Sequence, residues 1–240
     1  MGKERLDKIL ATTGRWSRRE AGALIRRGAV LVDGEPVRSP DTKTDPETSV
    51  VTAEGERLVW RRYTWVMLNK PAGYLSATED GRGTTVLDLL PRELQRQGLF
   101  PVGRLDKDTE GLLLLTNEGP LAHALLSPKR HVDKVYYARV DGCLNEGDCA
   151  AFADGLSLSD GLECLPAKLE ILPGTGGTEA LVTLREGKFH QVKRMLASRG
   201  APVVYLERVQ MAGLELDRSL PRGDFRFLTE NELAILQKFV

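Results

Sequence analysis

Four consecutive leucines, Leu112, Leu113, Leu114 and Leu115, constrain this chain more than any other feature. They are bounded by turn-forming residues in GRLDKDTEGLLLLTNEG, which runs from Gly103 to Gly119. So short an apolar run between turn signals reads as a strand. Successive strand residues point to opposite faces, so this strand needs apolar cover on both sides. Three carboxylates, Asp106, Asp108 and Glu110, stand directly before it. Asp108 and Glu110, among Lys107, Thr109 and Gly111, read as solvated. Asp106 follows Arg104 by two, and residues two apart on an extended segment share a side. Two readings stay open. Arg104 and Asp106 form a structural ion pair, or a carboxylate kept ionised at the edge of a dry pocket serves as nucleophile or general base.

The first sixty residues read as one unit. Leu6, Ile9 and Leu10 have helical spacing, and Gly14 suits the end of that helix. Ser17 and Glu20 form a capping box that opens a short helix, closed by Gly28. Asp33-Gly34 in AVLVDGEPV predicts a tight hairpin, and VVTAEGERLVW predicts a second. From about Tyr63 the pattern changes. WVMLNK, KVYYARV, ECLPAKLEIL, EALVTLREG and PVVYLERVQMAGLEL read as strands. LAHALLS, HQVKRMLASRG and TENELAILQKF read as helices, the last opened by a Thr229/Glu232 capping box. TTVLDLLPRELQRQG predicts a short helix and a loop. This mixture indicates an α+β fold in place of a repeating βαβ one. The expected division is 1–60 and 61–240.

Composition excludes some classes. The 240 residues carry zero formal net charge, so no global field draws in a polyanion, although local patches still decide binding. No apolar stretch reaches the length of a membrane span, and the N-terminus lacks a signal-peptide core, so a cytoplasmic protein is expected. Cys143, Cys149 and Cys164 match no zinc spacing and read as free thiols, and no metal site is predicted.

Local charge is less even. Between Arg15 and Arg27 five arginines face a single Glu. Arg18, Arg19 and Arg26 fall on one side of the helix, with Arg15 just ahead. This is either a solvated face or a phosphate-contacting one. The segment RLDKILATTGRWSRREAGALIRRGAVLVDGEPV resembles the small RNA-binding domain first described in ribosomal protein S-four, the alpha-L motif. That resemblance implies docking on structured RNA through Arg15, Arg18, Arg19 and Arg26.

GRLDKDTEGLLLLTNEG is in turn similar to the central motif of the RNA pseudouridine synthases, particularly the RsuA-like branch. MLNKPAGYLSAT resembles that branch's N-K-P-x-G motif, KVYYARV its K-x-Y motif, and EGKFHQVKRMLASRG its third motif. Together with the N-terminal segment, the likeness covers nearly the whole chain. It implies a mixed, largely antiparallel sheet with flanking helices and a central cleft, following a small N-terminal α/β RNA-binding domain. It makes Asp106 the catalytic carboxylate, Lys193 its basic partner and Tyr136 the platform for a flipped base, with Val192 or Leu196 as the floor. Lys193 stands where many relatives carry Arg. Arg104, Arg194, Asn69 and Lys70 are expected at the RNA, and His190 as a hydrogen-bonding residue. The implied reaction breaks a uridine N–C glycosidic bond, turns the uracil and rejoins it through C5, with no cofactor. The implied partner is ribosomal RNA, with 16S rRNA or a small-subunit assembly intermediate favoured and a monomer expected. The alternatives are a 23S rRNA enzyme of the same chemistry and a non-catalytic assembly factor.

Overall fold

The computed structural model describes residues 2–239. The chain divides into two compact units. One comprises residues 1–64 with 90–99, and the other residues 65–89 with 100–240. The sequence division assigns 90–99 to the second domain, but this segment joins the first unit. Thr64 Oγ1 donates to Gln97 Oε1 at 2.6 Å, and Gln97 Nε2 donates to the Thr13 carbonyl at 2.8 Å. Gly14, at φ +76°, is so close to the Glu93 carbonyl that a Cβ there would overlap it. Pro91 stands ahead of the short helix Arg92–Gln95. Nothing local to PRELQ shows which unit it will join.

In the first unit, helices Leu6–Thr12 and Arg18–Arg26 pack on a four-stranded sheet. Both hairpins form where expected. Val30–Val32 pairs with Glu35–Pro36 through Asp33 and Gly34, both at positive φ. Val51–Ala53 pairs with Glu56–Arg57 through Glu54 and Gly55 in the same conformation. Positive φ at both turn residues matches the twist of the flanking strands. Leu6, Leu10, Leu24, Ile25, Val30 and Ala53 form the core between helices and sheet. The Ser17–Glu20 capping box is closed in both directions.

The second unit is built on a mixed sheet of nine strands among the described residues. The leucine strand, Glu110–Thr116, lies inside it between Trp65–Lys70 and Val203–Met211. Its four leucines are wholly buried. Leu112 and Leu114 face a core completed by helices Gly119–Leu126 and Glu230–Gln237. Leu113 and Leu115 are covered on the other face, so the two-sided cover predicted from the run is present. The leucine strand runs parallel to Val203–Met211, whereas its pairing with Trp65–Lys70 and the remaining sheet pairings are antiparallel. Sheet order continues from Val203–Met211 through Lys134–Val140 and Glu179–Leu184 to Lys168–Ile171.

A helix absent from the sequence reading, Glu146–Asp154, packs on the edge strand Lys168–Ile171. Its capping box, Asn145 with Asp148, was legible in the sequence. The three cysteines are unpaired. No helix among the described residues is long and apolar enough to cross a membrane.

Candidate active site

Asp106 sits on the turn that delivers the chain into the leucine strand. Residues 102–109 lie outside any strand, whereas the two-residue spacing of Arg104 and Asp106 assumed an extended segment; they form a loop pinned from behind. The Ser76 hydroxyl donates to the Leu105 carbonyl at 2.9 Å and accepts from the Leu105 N–H at 3.1 Å. The Gly73 N–H donates to the Lys107 carbonyl at 2.7 Å. The Lys70 ammonium, with no exposed surface, donates to the carbonyls of Pro71, Asp106, Lys107 and Thr109 at 2.8–3.2 Å. A buried ammonium is costly unless its N–H groups are satisfied. Here the carbonyls of the Asp106 loop satisfy them, so loop and lysine hold each other. Burial pushes the Lys70 pKa down to about 8, with Asp108, Glu110 and Asp106 pulling it back up.

This corrects the expectation for the N-K-P segment. Lys70 is enclosed and cannot touch RNA. Asn69 is also buried, with its amide donating to the Leu220 carbonyl at 2.8 Å. Both residues are internal supports of the Asp106 loop and its neighbours.

The partner of Asp106 is not Arg104. Lys193 Nζ lies 3.1 Å from Asp106 Oδ2, and His190 Nε2 lies 3.6 Å from Asp106 Oδ1. Both cationic candidates come from one place, the start of helix Gln191–Ser198. Lys193 also bonds Asp108 Oδ1 at 2.5 Å. That bond holds the Asp108 carboxyl below its ordinary range, against a smaller opposing effect of burial. Asp108, read as merely solvated, therefore shares the lysine with Asp106. Glu110 differs too: it accepts from the Tyr205 hydroxyl at 2.9 Å and pairs with Arg222 at 3.0 Å. No local signal in DKDTEG distinguishes these fates, because each partner arrives from a distant segment.

A cleft opens to solvent in front of Asp106. Tyr136, Leu184, Val192 and Leu206 supply apolar walls, while Arg104, Lys193, His190 and Glu186 supply polar ones. Leu196, the alternative floor residue, is wholly buried outside this lining. Tyr136 is nearly buried on a strand whose pairing with Val203–Met211 shifts register between Val135 and Tyr136. Glu186 closes the far side. Burial would push its carboxyl up, but hydrogen bonds from Lys188, the Leu165 N–H and Gln191 more than offset this and hold it low. Arg194 is turned away from the cleft into an ion pair with Asp160. Arg104 is exposed and has no hydrogen bond or ion pair among the described residues. No three His, Cys, Asp or Glu side chains among the described residues gather as a metal site would require.

The four arginines expected at RNA in the first unit divide into two pairs. Arg15 is tied to Glu56 at 2.7 Å and Arg18 to the buried Asp7 at 3.4 Å. Arg19 and Arg26 have no acidic partner among the described residues and remain exposed.

In sequence and fold the chain is closely similar to known proteins. Residues 64–198 match the family model for RNA pseudouridylate synthase, and residues 4–50 match the S4 domain. A protein of Bacillus subtilis (strain 168), named uncharacterized RNA pseudouridine synthase YtzG, is 47% identical over 98% of both chains. Ribosomal small subunit pseudouridine synthase A of Vibrio cholerae is 38% identical over 98% of this chain and 100% of its own. A solved structure titled "Crystal structure of pseudouridylate synthase" superposes with a TM-score of 0.68 at 37% identity, covering 99% of this chain and all of that one. The chain belongs to the RNA pseudouridine synthase family and carries an N-terminal S4 RNA-binding domain. It is thus an enzyme that acts on RNA.

Proposed function

We propose that this enzyme converts one uridine of 16S rRNA to pseudouridine, with Asp106 as its catalytic carboxylate. The ion pair of Asp106 with Lys193, 3.1 Å long and open to the cleft, carries the reading. A duplex or folded RNA hides the atoms that must react, so the uridine is flipped into the cleft. Its base lies against Tyr136 with Val192, Leu184 and Leu206 around it. Asp106 then acts at the sugar, either attacking C1′ or taking the C2′ proton. Both routes use the Asp106 carboxylate, which Lys193 holds at the cleft from 3.1 Å away. As the N1–C1′ bond breaks, its electron pair leaves with uracil, which turns and bonds to C1′ through C5; Asp106 is displaced from C1′ on the first route or returns the proton to C2′ on the second, the C5 proton goes to solvent, and N1 takes one proton from it. Isomerisation adds and removes no atoms, and the chemistry asks for no cofactor. Arg104, free of protein partners, contacts the backbone of the flipped nucleotide, and Arg19 and Arg26 of the residue 1–60 domain contact phosphates elsewhere on the RNA. The enzyme acts as a cytoplasmic monomer, since one asymmetric target needs one site.

The 16S assignment draws support from the Vibrio cholerae relative, whose name specifies the ribosomal small subunit. The test uses 16S and 23S rRNA transcripts tritiated at uracil C5. Release of label to water from the 16S transcript by the wild type, reduced at least about a thousandfold by Asp106→Asn with RNA affinity retained, is the expected result. Turnover by Asp106→Asn near the wild-type rate removes the aspartate from its role. Release from the 23S transcript alone moves the substrate to the large subunit.

A further inference from the structure

The cleft does not end at Asp106. It adjoins a second, larger groove of about 470 Å³. It is lined by Leu75, Ser76, Ala77 and Asp80, by residues 104–107 and by residues 187–190. In that last segment stands Phe189, with 74% of its surface exposed. A single exposed apolar residue is ordinary on a protein surface. Three further observations set this one apart.

First, its ring is held in place. Phe189 stacks on His190 with ring centroids 3.8 Å apart and an interplanar angle of 18°. His190 adopts the left-handed conformation, φ +50°, at the cap of helix Gln191–Ser198. Such a conformation is uncommon for a residue with a Cβ, and it persists only when its surroundings enforce it. The His190 ring also lies 3.6 Å from the Asp106 carboxylate. Second, the groove carries two exposed cations beside the Asp106–Lys193 pair. Arg104 and Lys107 are exposed and have no acidic side chain within ion-pair distance among the described residues. Asp80, also on this groove, accepts from the N–H groups of Arg82 and Gly83 and feels the charge of Lys107 without an ion pair to it. Third, groove and cleft share Arg104, Leu105, Asp106, Gly187, Lys188 and His190, so a strand with one nucleotide in the cleft has the groove beside it.

We infer that the Phe189–His190 stack is a base platform, holding by its outer face the nucleobase next to the flipped uridine. A flipped nucleotide leaves its neighbour without a stacking partner, and an exposed aromatic face beside unpaired cations is the arrangement that binds single-stranded RNA. This inference rests on the uridine-isomerising reading of the same cleft. It concerns a different ring, lying outside the reacting atoms, which acts on affinity and on the holding of the flipped state.

The test compares Phe189→Ala, Phe189→Leu and Phe189→Trp in the full-length protein, on the tritiated 16S and 23S transcripts. Loss of one aromatic stack predicts a KM raised roughly ten- to a hundredfold in Phe189→Ala, with kcat little changed. Phe189→Trp restores the wild-type KM and Phe189→Leu does not, because leucine keeps apolar area without a flat face. A KM for Phe189→Ala within about twofold of wild type, or full rescue by leucine, overturns the platform. A second readout does not need turnover. The indole introduced by Phe189→Trp should be quenched when transcript is added, over and above any change seen in wild type. Unchanged emission at RNA concentrations where filter binding shows a complex overturns the platform. Absence of tritium release by wild type from both transcripts overturns the catalytic reading instead, and the indole signal then judges the platform alone. Quenching by an added protein fraction but not by RNA would assign the ring to a protein partner and overturn the inference.

Discussion

Lys70 illustrates how much one side chain does from inside the protein. Its ammonium bonds four carbonyls, three of them on the loop that carries Asp106. The charged groups acting on it are Asp106, Asp108, Glu110 and Lys193. As pH rises through about 8 the ammonium loses a proton, and two N–H groups are left for four acceptors. Turnover is expected to fall over that range while KM for RNA holds. Stability moves the other way. The folded-state pKa, about 8, lies below the ordinary lysine value of 10.5, so between the two the unfolded chain binds the extra proton. Stability from this group therefore rises with pH across that window. Lys134, also lowered to about 8 by burial and by Arg208, titrates alongside it. Lys70→Met should remove the Lys70 contribution to the alkaline limb, lower kcat and cost about 1–3 kcal/mol of stability from the orphaned carbonyls. Lys134→Met, measured in parallel, identifies the remainder. Had Lys70 touched RNA, the Met variant would raise KM and leave the unfolding midpoint alone.

At the scale of elements, the parallel contact between the leucine strand and Val203–Met211 is the joint most exposed to a small change. Gly111 faces Arg208 across it at φ +95°, and a Cβ there would lie 2.4 Å from the Arg208 carbonyl oxygen. The buried Arg208 guanidinium also donates to the Leu112 carbonyl at 2.8 Å. Gly111→Ala must therefore push the neighbouring strands apart and adopt a disfavoured φ. A loss of about 3 kcal/mol or more is expected in urea unfolding, with the m-value unchanged. Ala at Gly34, whose φ is +88° with open space around it, carries the backbone strain alone and should cost less. The arginine helix allows a different measurement. Arg19 and Arg26 are the two residues there that lack an acidic partner among the described residues. Reversing both to Glu should weaken RNA binding and lower the slope of log affinity against log salt by about 2. An unchanged slope in filter binding would make that face a solvated surface.

At the scale of the molecule, the division into units bears on how the enzyme can be taken apart. Cutting after residue 64 would separate residues 90–99 from Thr13, Gly14 and Thr64. Leu90, Leu94 and Leu99, all buried in the intact chain, belong to that segment. A fragment beginning at Trp65 is expected to bind a hydrophobic dye and to unfold at lower urea than the full chain. A fragment with residues 90–99 replaced by a polar linker should do neither. If the first fragment is as stable as the second, the segment does not depend on the first unit. Loss of activity on simple truncation therefore cannot be assigned to lost RNA contacts, and the Arg19 and Arg26 reversal is the cleaner probe.

By itself the sequence determined what short-range physics decides. The capping boxes at Ser17 and Thr229, the hairpins at Asp33-Gly34 and Glu54-Gly55, and the doubly covered leucine strand each follow from a few adjacent residues. Spaced motifs in order were enough to indicate the family and to nominate Asp106 with Lys193, although the two lie far apart in the chain. Only the tertiary structure decided which partners those groups meet. The strand WVMLNK is buried along its whole length, so no alternation of polar and apolar residues marks which way Lys70 points. Its inward turn is possible only because a loop much later in the chain brings carbonyls to it. Asp108, Glu110, Ser76 and the placement of 90–99 were hidden for the same reason. Each is set by a partner far away in the chain, and burial of a polar group becomes favourable only once that partner has arrived.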